Sequence, residues 1–218
     1  MPEPPWRHRR GLPSVLASWQ DKASIQRCVT AQRVIEAQPP ARVDVPPDLF
    51  SGLTEALRKK GIDGLYRHQR EAIDAARQGR HVVIATPTAS GKSLCFQLPV
   101  LDAMARDPSS TAIYVYPTKA LSRDQEQAVQ AFVRDSALPV GAVVYDGDTP
   151  GDARRSARQR AQLIMSNPDM LHASILPQHA SWARIFQNLK YVVLDEVHTY
   201  RGVFGSHVAN VISRLKRV

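Results

Sequence analysis

Three features of this sequence predict an α/β fold with a mostly parallel sheet covered by helices on both faces. Apolar runs alternate with helical patterns from residue 82 onward. Between the first run and its helix lies Thr86-Pro87-Thr88-Ala89-Ser90-Gly91-Lys92-Ser93, a loop rich in small residues. About a hundred residues later, the apolar run of Tyr191-Val192-Val193-Leu194 ends in Asp195-Glu196. Strand–helix alternation buries both faces of a sheet and favours parallel strands. Loops and acids at the carboxyl ends of such strands are where open α/β sheets bind ligands.

Taken in order, residues 1–13 are rich in Pro and Arg and are expected to be poorly ordered. Residues 14–37 carry helical character through Val15, Leu16, Trp19, Ile25, Val29 and Val34, and Pro39, Pro40, Pro46 and Pro47 then punctuate a linker. Leu49, Leu53, Ala56 and Leu57 fall at helical spacing, predicting a helix over 49–60 that Gly61 stops. A shorter helix over about 67–78 ends at Gly79. Strands are expected at 82–85, 112–116, 142–145, 162–165 and 191–194, with helices at about 92–106, 120–134, 150–160 and 205–217. Thr149-Pro150-Gly151-Asp152 reads as an N-cap, a Pro at the first helical position and an acid at the third. Asn167-Pro168 opens a shorter turn in the same way, and Val208, Val211, Ile212 and Leu215 give the last helix one apolar face. The chain is expected to divide into an N-terminal arm, 1–48, and an α/β domain, 49–218.

Composition narrows the function. At 43% apolar the chain can bury a core, and no run approaches the ~18 residues of a membrane span. The N-terminus lacks an apolar signal region, and Cys28 and Cys95 are too few and too far apart for a disulfide framework or a metal knuckle, so a cytoplasmic location is expected. Net charge is +9, of which residues 1–50 contribute +2 and residues 51–218 the other +7. A basic globular domain suits a polyanionic partner, most simply nucleic acid, although solubility charge gives the same balance.

The loop at 86–93 has the chemistry of a phosphate cradle. Consecutive backbone N–H groups converge on an anion, and the following helix adds its positive end. Lys92 would reach the β- and γ-phosphates of a nucleotide, and the Ser93 hydroxyl would hold Mg²⁺. Thr86 stands where the general pattern G-x-x-x-x-G-K-[ST] has its first Gly. Asp195 would hold the same Mg²⁺ through water, and Glu196 would polarise the attacking water. By itself the acidic strand end is equally a solvated turn; beside the loop it reads as a nucleotide site.

The neighbours of these motifs carry a resemblance. Leu65-Tyr66-Arg67-His68-Gln69 lies upstream. Downstream come Pro117-Thr118-Lys119-Ala120-Leu121 with Gln125, Tyr145-Asp146-Gly147-Asp148-Thr149, and Ser166-Asn167-Pro168-Asp169-Met170-Leu171. Their order and spacing resemble the first RecA-like motor domain of superfamily 2 DEAD/DEAH-box helicases. The stretch Asp195–Gly205, DEVHTYRGVFG, looks most like the bacterial YprA/MrfA-type repair helicases, and the likeness covers about 49–218. It implies an ATP-driven DNA translocase with Mg²⁺ as cofactor, moving 3′ to 5′ on single-stranded or partly duplex DNA, with RNA as the alternative. Gln69 would read adenine, with Tyr66 stacking nearby or serving as a core aromatic. Thr88, Ala89, Ser90 and Gly91 would line the phosphates, and Ala89 replaces a Gly of related loops. Lys92, Asp195 and Glu196 would be catalytic, with Ser93 and Asp195 on the metal, and His198 would couple the ATP site to nucleic acid.

Pro117, Thr118, Lys119, Gly147, Asp148, Thr149, Asn167, Pro168 and Asp169 would contact a strand's backbone, which positions it but reads no sequence. Arg154, Arg155, Arg158 and Arg160 form either a further track for that backbone or a solvated helix face. A second motor domain, which in this family supplies an arginine finger and half of the nucleic-acid track, is expected to be missing from the chain. Turnover by the chain alone should then be slow. A non-catalytic module that holds ATP or nucleic acid is the second reading. A small-molecule phosphotransferase is the third, and it leaves the motifs at 117–121 and 166–171 without a purpose.

Overall fold

The computed structural model describes residues 11–31, 33, 41–87 and 90–218. Residues 1–10 of the stretch 1–13 expected to be poorly ordered, the end of the first helical stretch, Pro39, Pro40, and loop residues Thr88 and Ala89 lie outside the described residues, whereas Leu12 and Pro13 open a helix, for which Pro is suited at the first turn. The chain divides into two compact units, 1–40 and 41–218. Within the first, the helical stretch forms α1 (Leu12–Gln20) and α2 (Ala23–Gln26), broken by a turn at Asp21.

The second unit is built on the parallel sheet. β3 (Thr111–Val115), β4 (Ala142–Val144), β5 (Leu163–Ser166) and β6 (Leu189–Leu194) stand in the order β4-β5-β3-β6, and every ladder among them is parallel. A separate antiparallel pair, β1 (Arg42–Val43) with β2 (Leu65–Tyr66), was not legible as strand because each is two residues long. β3 is buried at every position, as a central strand covered on both faces must be.

Helices α3 (Ser51–Lys59), α4 (Arg67–Arg77), α5 (Lys92–Arg106) and α6 (Lys119–Asp135) bury one face through Leu53, Leu57, Ile73, Leu98, Leu101, Val129 and Phe132. On the other face lie α7 (Gly151–Arg160), α8 (Pro168–Met170), α9 (Ala183–Gln187) and α10 (Gly202–Leu215), whose buried side includes Ala157, Ile185, Val211 and Leu215 around Trp182. The crossover from β3 to β4 uses the first face, and those from β4 to β5 and β5 to β6 use the second. They run in opposite directions along the sheet, as crossovers of a single hand require.

Two expectations need correction. The run 82–85 is not a strand: Val82 is 40% and Val83 94% exposed, and neither enters a ladder. A strand exists only where a neighbour takes its alternate N–H and C=O groups. The sheet ends at β6, with which this run does not pair. At 149–152, Pro150 occupies the cap and Gly151 the first helical position, so α7 starts one residue late. Thr149 is diverted because its hydroxyl bonds Asp146 instead of the helix. At Asn167-Pro168 the expected cap forms, the Asn167 side-chain oxygen Oδ1 accepting from the Met170 N–H at 2.9 Å.

Candidate nucleotide and nucleic-acid site

The loop before α5 is tied at both ends. Gly91, at the cap of α5, has φ +75°, a left-handed conformation that only glycine adopts without strain. A Cβ there would also stand 2.5 Å from Gln69 Nε2. That amide stitches the loop to α4: Nε2 donates to the Gly91 carbonyl at 2.9 Å, and Oε1 accepts from the Tyr66 N–H at 2.8 Å. Two of the four hydrogen-bonding positions of Gln69 are thus taken, leaving one N–H and one lone pair. Beside it, the His68 ring meets the Ser90 carbonyl at 3.1 Å and stacks on Tyr66. The Thr86 and Ser90 hydroxyls are 2.6 Å apart, and the Lys92 ammonium donates to the Thr86 and Pro87 carbonyls at 2.9 and 3.1 Å.

Asp195 follows β6, and its N–H donates to the Val115 carbonyl at 3.0 Å, which continues the ladder by one residue. Its Oδ1 accepts from the Glu196 N–H at 2.8 Å. Burial raises the Asp195 carboxyl above the usual range and the charge of Glu196 adds to this, while the Glu196 N–H, Lys92 and His198 work against it. Glu196 takes a left-handed backbone, φ +50°, without being glycine. Such strain collects at working sites. The turn is held because both the N–H and the hydroxyl of Thr199 donate to the Glu196 carbonyl. Glu196 also reaches the exposed His198 ring, Oε2 to Nδ1 at 3.2 Å. Ser93 and Asp195 are half-buried oxygen donors, a set that suits Mg²⁺, which takes few protein ligands and keeps water and phosphate for the rest.

All the expected backbone-contacting residues lie on this same carboxyl edge. Gly147-Asp148-Thr149 follows β4, Asn167-Pro168-Asp169 follows β5, and Pro117-Thr118-Lys119 follows β3, so the sheet order sets them in a row ending at Asp195. Thr118 caps α6 through the Leu121 N–H and, like Lys119, is exposed. Lys119 pairs with Asp148 at 3.2 Å, joining the first and third of these segments. Pro168 is buried, whereas the Asp169 side chain is 79% exposed and lies 3.6 Å from His207.

Arg123 belongs to this cluster and was missed, binding Asp146 at 3.2 Å and Asp148 at 3.1 Å. Its position four residues after Lys119 puts both on one helical face, which was the available signal. Arg154, expected on a basic track or a solvated face, instead donates to the carbonyls of Asp146, Gly147 and Thr149 and lies over the Tyr145 ring. Arg155 and Arg160 remain exposed on α7.

Asp146 is the hub of the β4 loop. Burial pushes its carboxyl up, but bonds from the Asp148 N–H, Arg123 and the Thr149 hydroxyl outweigh this and hold it below the usual carboxylate range. A depressed folded-state value contributes stability above the unfolded value, and that contribution is lost as pH falls through the folded one. The loop should therefore loosen as pH drops below about 4. Protection of the Asp148 amide against hydrogen exchange, relative to its intrinsic rate at each pH, should fall there in the native chain. In Asp146→Asn that protection should already be reduced at neutral pH and change little with acidity. An equal acid response in both chains would remove Asp146 as the cause.

Among the described residues no cluster of three or more His, Cys, Asp or Glu is placed to hold a metal, and no helix is long and apolar enough to cross a membrane. Comparison with known proteins gives a consistent picture. A family model described as DEAD/DEAH box helicase matches residues 66–218. The ATP-dependent helicase YprA of Bacillus subtilis is 48% identical over 174 residues, covering 80% of this chain and 23% of that protein. The ATP-dependent helicase HRQ1 of Saccharomyces cerevisiae is 44% identical over 177 residues, 80% of this chain and 16% of that one. A crystal structure of the DUF1998 helicase MrfA bound to DNA and AMPPNP superposes with TM-score 0.86 at 41% identity, over 95% of this chain and 29% of that one. The chain thus spans less than a third of the length of the proteins it matches.

Proposed function

The chain belongs to the DEAD/DEAH box helicase family, and from that premise we propose that it is the ATP-binding motor domain of an ATP-dependent DNA helicase. The observation that carries this reading is the single sheet edge. On it Asp195 and Glu196, with the Lys92 ammonium near enough for its charge to act on Asp195, stand in line with the segments after β3, β4 and β5.

In this reading, residues 49–218 are the motor domain and 1–48 an arm. The Lys92 ammonium leaves the Thr86 and Pro87 carbonyls for the β- and γ-phosphates, and the backbone of Thr88, Ala89, Ser90 and Gly91 lines them. Ser93 and Asp195 hold Mg²⁺, which when bound neutralises phosphate charge. Glu196 orients and polarises the attacking water, its strained backbone fixing the carboxylate's direction. Gln69 and Tyr66 take the base. Thr118, Lys119 and the residues 147–149 and 167–169 hold the backbone of one DNA strand. His198, paired with Glu196, links the two functions.

DNA is favoured over RNA because the relatives with solved structures at 41–42% identity are described as bound to DNA. The repair role follows the family resemblance, and the cytoplasmic location follows the composition. Turnover in motors of this kind depends on an arginine finger that is worth several orders of magnitude in rate.

The test is binding rather than rate. Mg-ATP should bind the 218-residue chain saturably in calorimetry. A labelled single-stranded DNA should bind with an affinity that falls linearly on a log–log salt plot, with slope of about −0.7 per phosphate contacted. Unlabelled DNA should compete better than RNA of the same sequence. A chain that binds neither Mg-ATP nor single strands sinks the proposal, and one that prefers RNA overturns its choice of substrate.

A further inference from the structure

Two phenol hydroxyls are buried beside Asp195, and neither has a hydrogen-bond partner among the described residues: those of Tyr116 and Tyr200. Tyr116 directly follows β3. The parallel register pairs Val115 with Leu194, so Tyr116 comes opposite Asp195. Alternate residues of a strand share a face. Tyr114 and Val193, one step earlier in register, both line the face covered by α5 and so does Tyr116. Asp195 follows Val193 with the same parity, and Lys92 is the first residue of α5. Tyr116, completely buried, thus stands beside the carboxylate on the side of the phosphate loop.

Tyr200 stands at the end of the single turn 197–199 that follows Glu196, with its ring leaning on Phe204 at 5.6 Å. Both phenols are pushed above their ordinary value, first by burial and then by the charge of Asp195, which agrees with this placement.

A buried hydroxyl without a partner costs free energy, and a phenylalanine would fill either place without that cost. The remaining oxygen of Asp195 is the acceptor that both hydroxyls could reach once the carboxylate is oriented. We propose that Tyr116 and Tyr200 are positioning residues for Asp195: their hydroxyls donate to its carboxylate, or to the water between it and the metal, when Mg-nucleotide assembles on this edge. The proposal rests on the ATP reading above and adds to it the pair of side chains that fixes the acid.

The experiment uses Tyr116→Phe and Tyr200→Phe in the 218-residue chain, with a fluorescent non-hydrolysable ATP analogue titrated at varied Mg²⁺. Each variant keeps its ring, so unliganded thermal stability should stay the same or rise. The Mg²⁺ concentration for half-maximal binding should increase about tenfold, the worth of a hydrogen bond to a charged group. Affinity for the analogue in the absence of Mg²⁺ should not change. An unaltered Mg²⁺ requirement in both variants overturns the proposal. So does a loss of metal-free affinity together with a drop in unliganded stability, which would make the hydroxyls part of the packing. A native chain that binds no Mg-analogue at all fails earlier, at the ATP reading itself.

Discussion

Lys92→Ala should weaken binding of Mg-ATP by about 10- to 150-fold while leaving the domain folded. The loss follows from the removal of the ammonium that meets the β- and γ-phosphates, because a charge-assisted hydrogen bond contributes about 1.5–3 kcal/mol and 1.4 kcal/mol is tenfold. The fold tolerates the change because Lys92 is half-buried at the first position of α5 and bonds only two loop carbonyls, those of Thr86 and Pro87. Those carbonyls turn to water at little cost. The anchors of the loop are elsewhere, in Gly91's backbone and the Gln69 amide. Lys92→Arg should not restore affinity, since a planar fork cannot take the place of a compact ammonium inside a closed loop. Calorimetric titration beside a thermal melt checks both halves. Unchanged affinity in Lys92→Ala would remove the loop at 86–93 as the nucleotide site. A collapsed melt would mean that the lysine serves the fold first.

That much of the site was legible because its chemistry is local. A glycine, a lysine and a hydroxyl in succession after an apolar run, and two acids ending another, need no tertiary information to be recognised. The helices were legible for a similar reason: α5 and α6 carry their apolar periodicity and their boundaries within fifteen to seventeen residues. What stayed hidden depends on partners distant in the chain. The run 82–85 is as apolar as a strand, but being one requires a neighbour, and pairing is not written in the run itself. Arg154 looked like a surface cation because its targets are backbone carbonyls, which have no sequence signature. Arg123 and Tyr116 gain their places from register and from a loop 23 residues or more away. Gln69 was legible only through the family resemblance, as a reader of adenine, and its hold on Gly91 appears only once α4 and α5 pack.

The far end of α5 should show the opposite behaviour from its start. Asp102 is buried, its side chain 3% exposed, yet it is fully engaged: Oδ2 accepts from Arg77 at 2.7 Å and from Arg106 at 3.0 Å, and Oδ1 from the Phe50 N–H at 2.9 Å. One carboxylate thereby ties the entrance of α3, the last turn of α4 and the C-terminal part of α5. Replacing it with alanine leaves the largely buried Arg77 guanidinium with only the exposed Asp48 carboxylate at 2.9 Å, its Nε without a partner among the described residues, and strands a backbone N–H. Breaking a buried pair in this way costs about 3–5 kcal/mol. Arg106, half exposed, adds little to that. At about 2–4 °C per kcal/mol for a domain of this size, the melting temperature should fall by roughly 6–20 °C. Asp102→Asn keeps an acceptor for Phe50 and should lose less. Nucleotide affinity should persist wherever the variant is still folded, because Asp102 lies ten residues beyond Lys92, about 15 Å along the helix. Lys92→Ala and Asp102→Ala thus separate chemistry from architecture on a single helix. Equal losses of affinity in the two, measured well below the melt of each, would show that α5 transmits disorder along its length and that the phosphate loop depends on the clasp behind it.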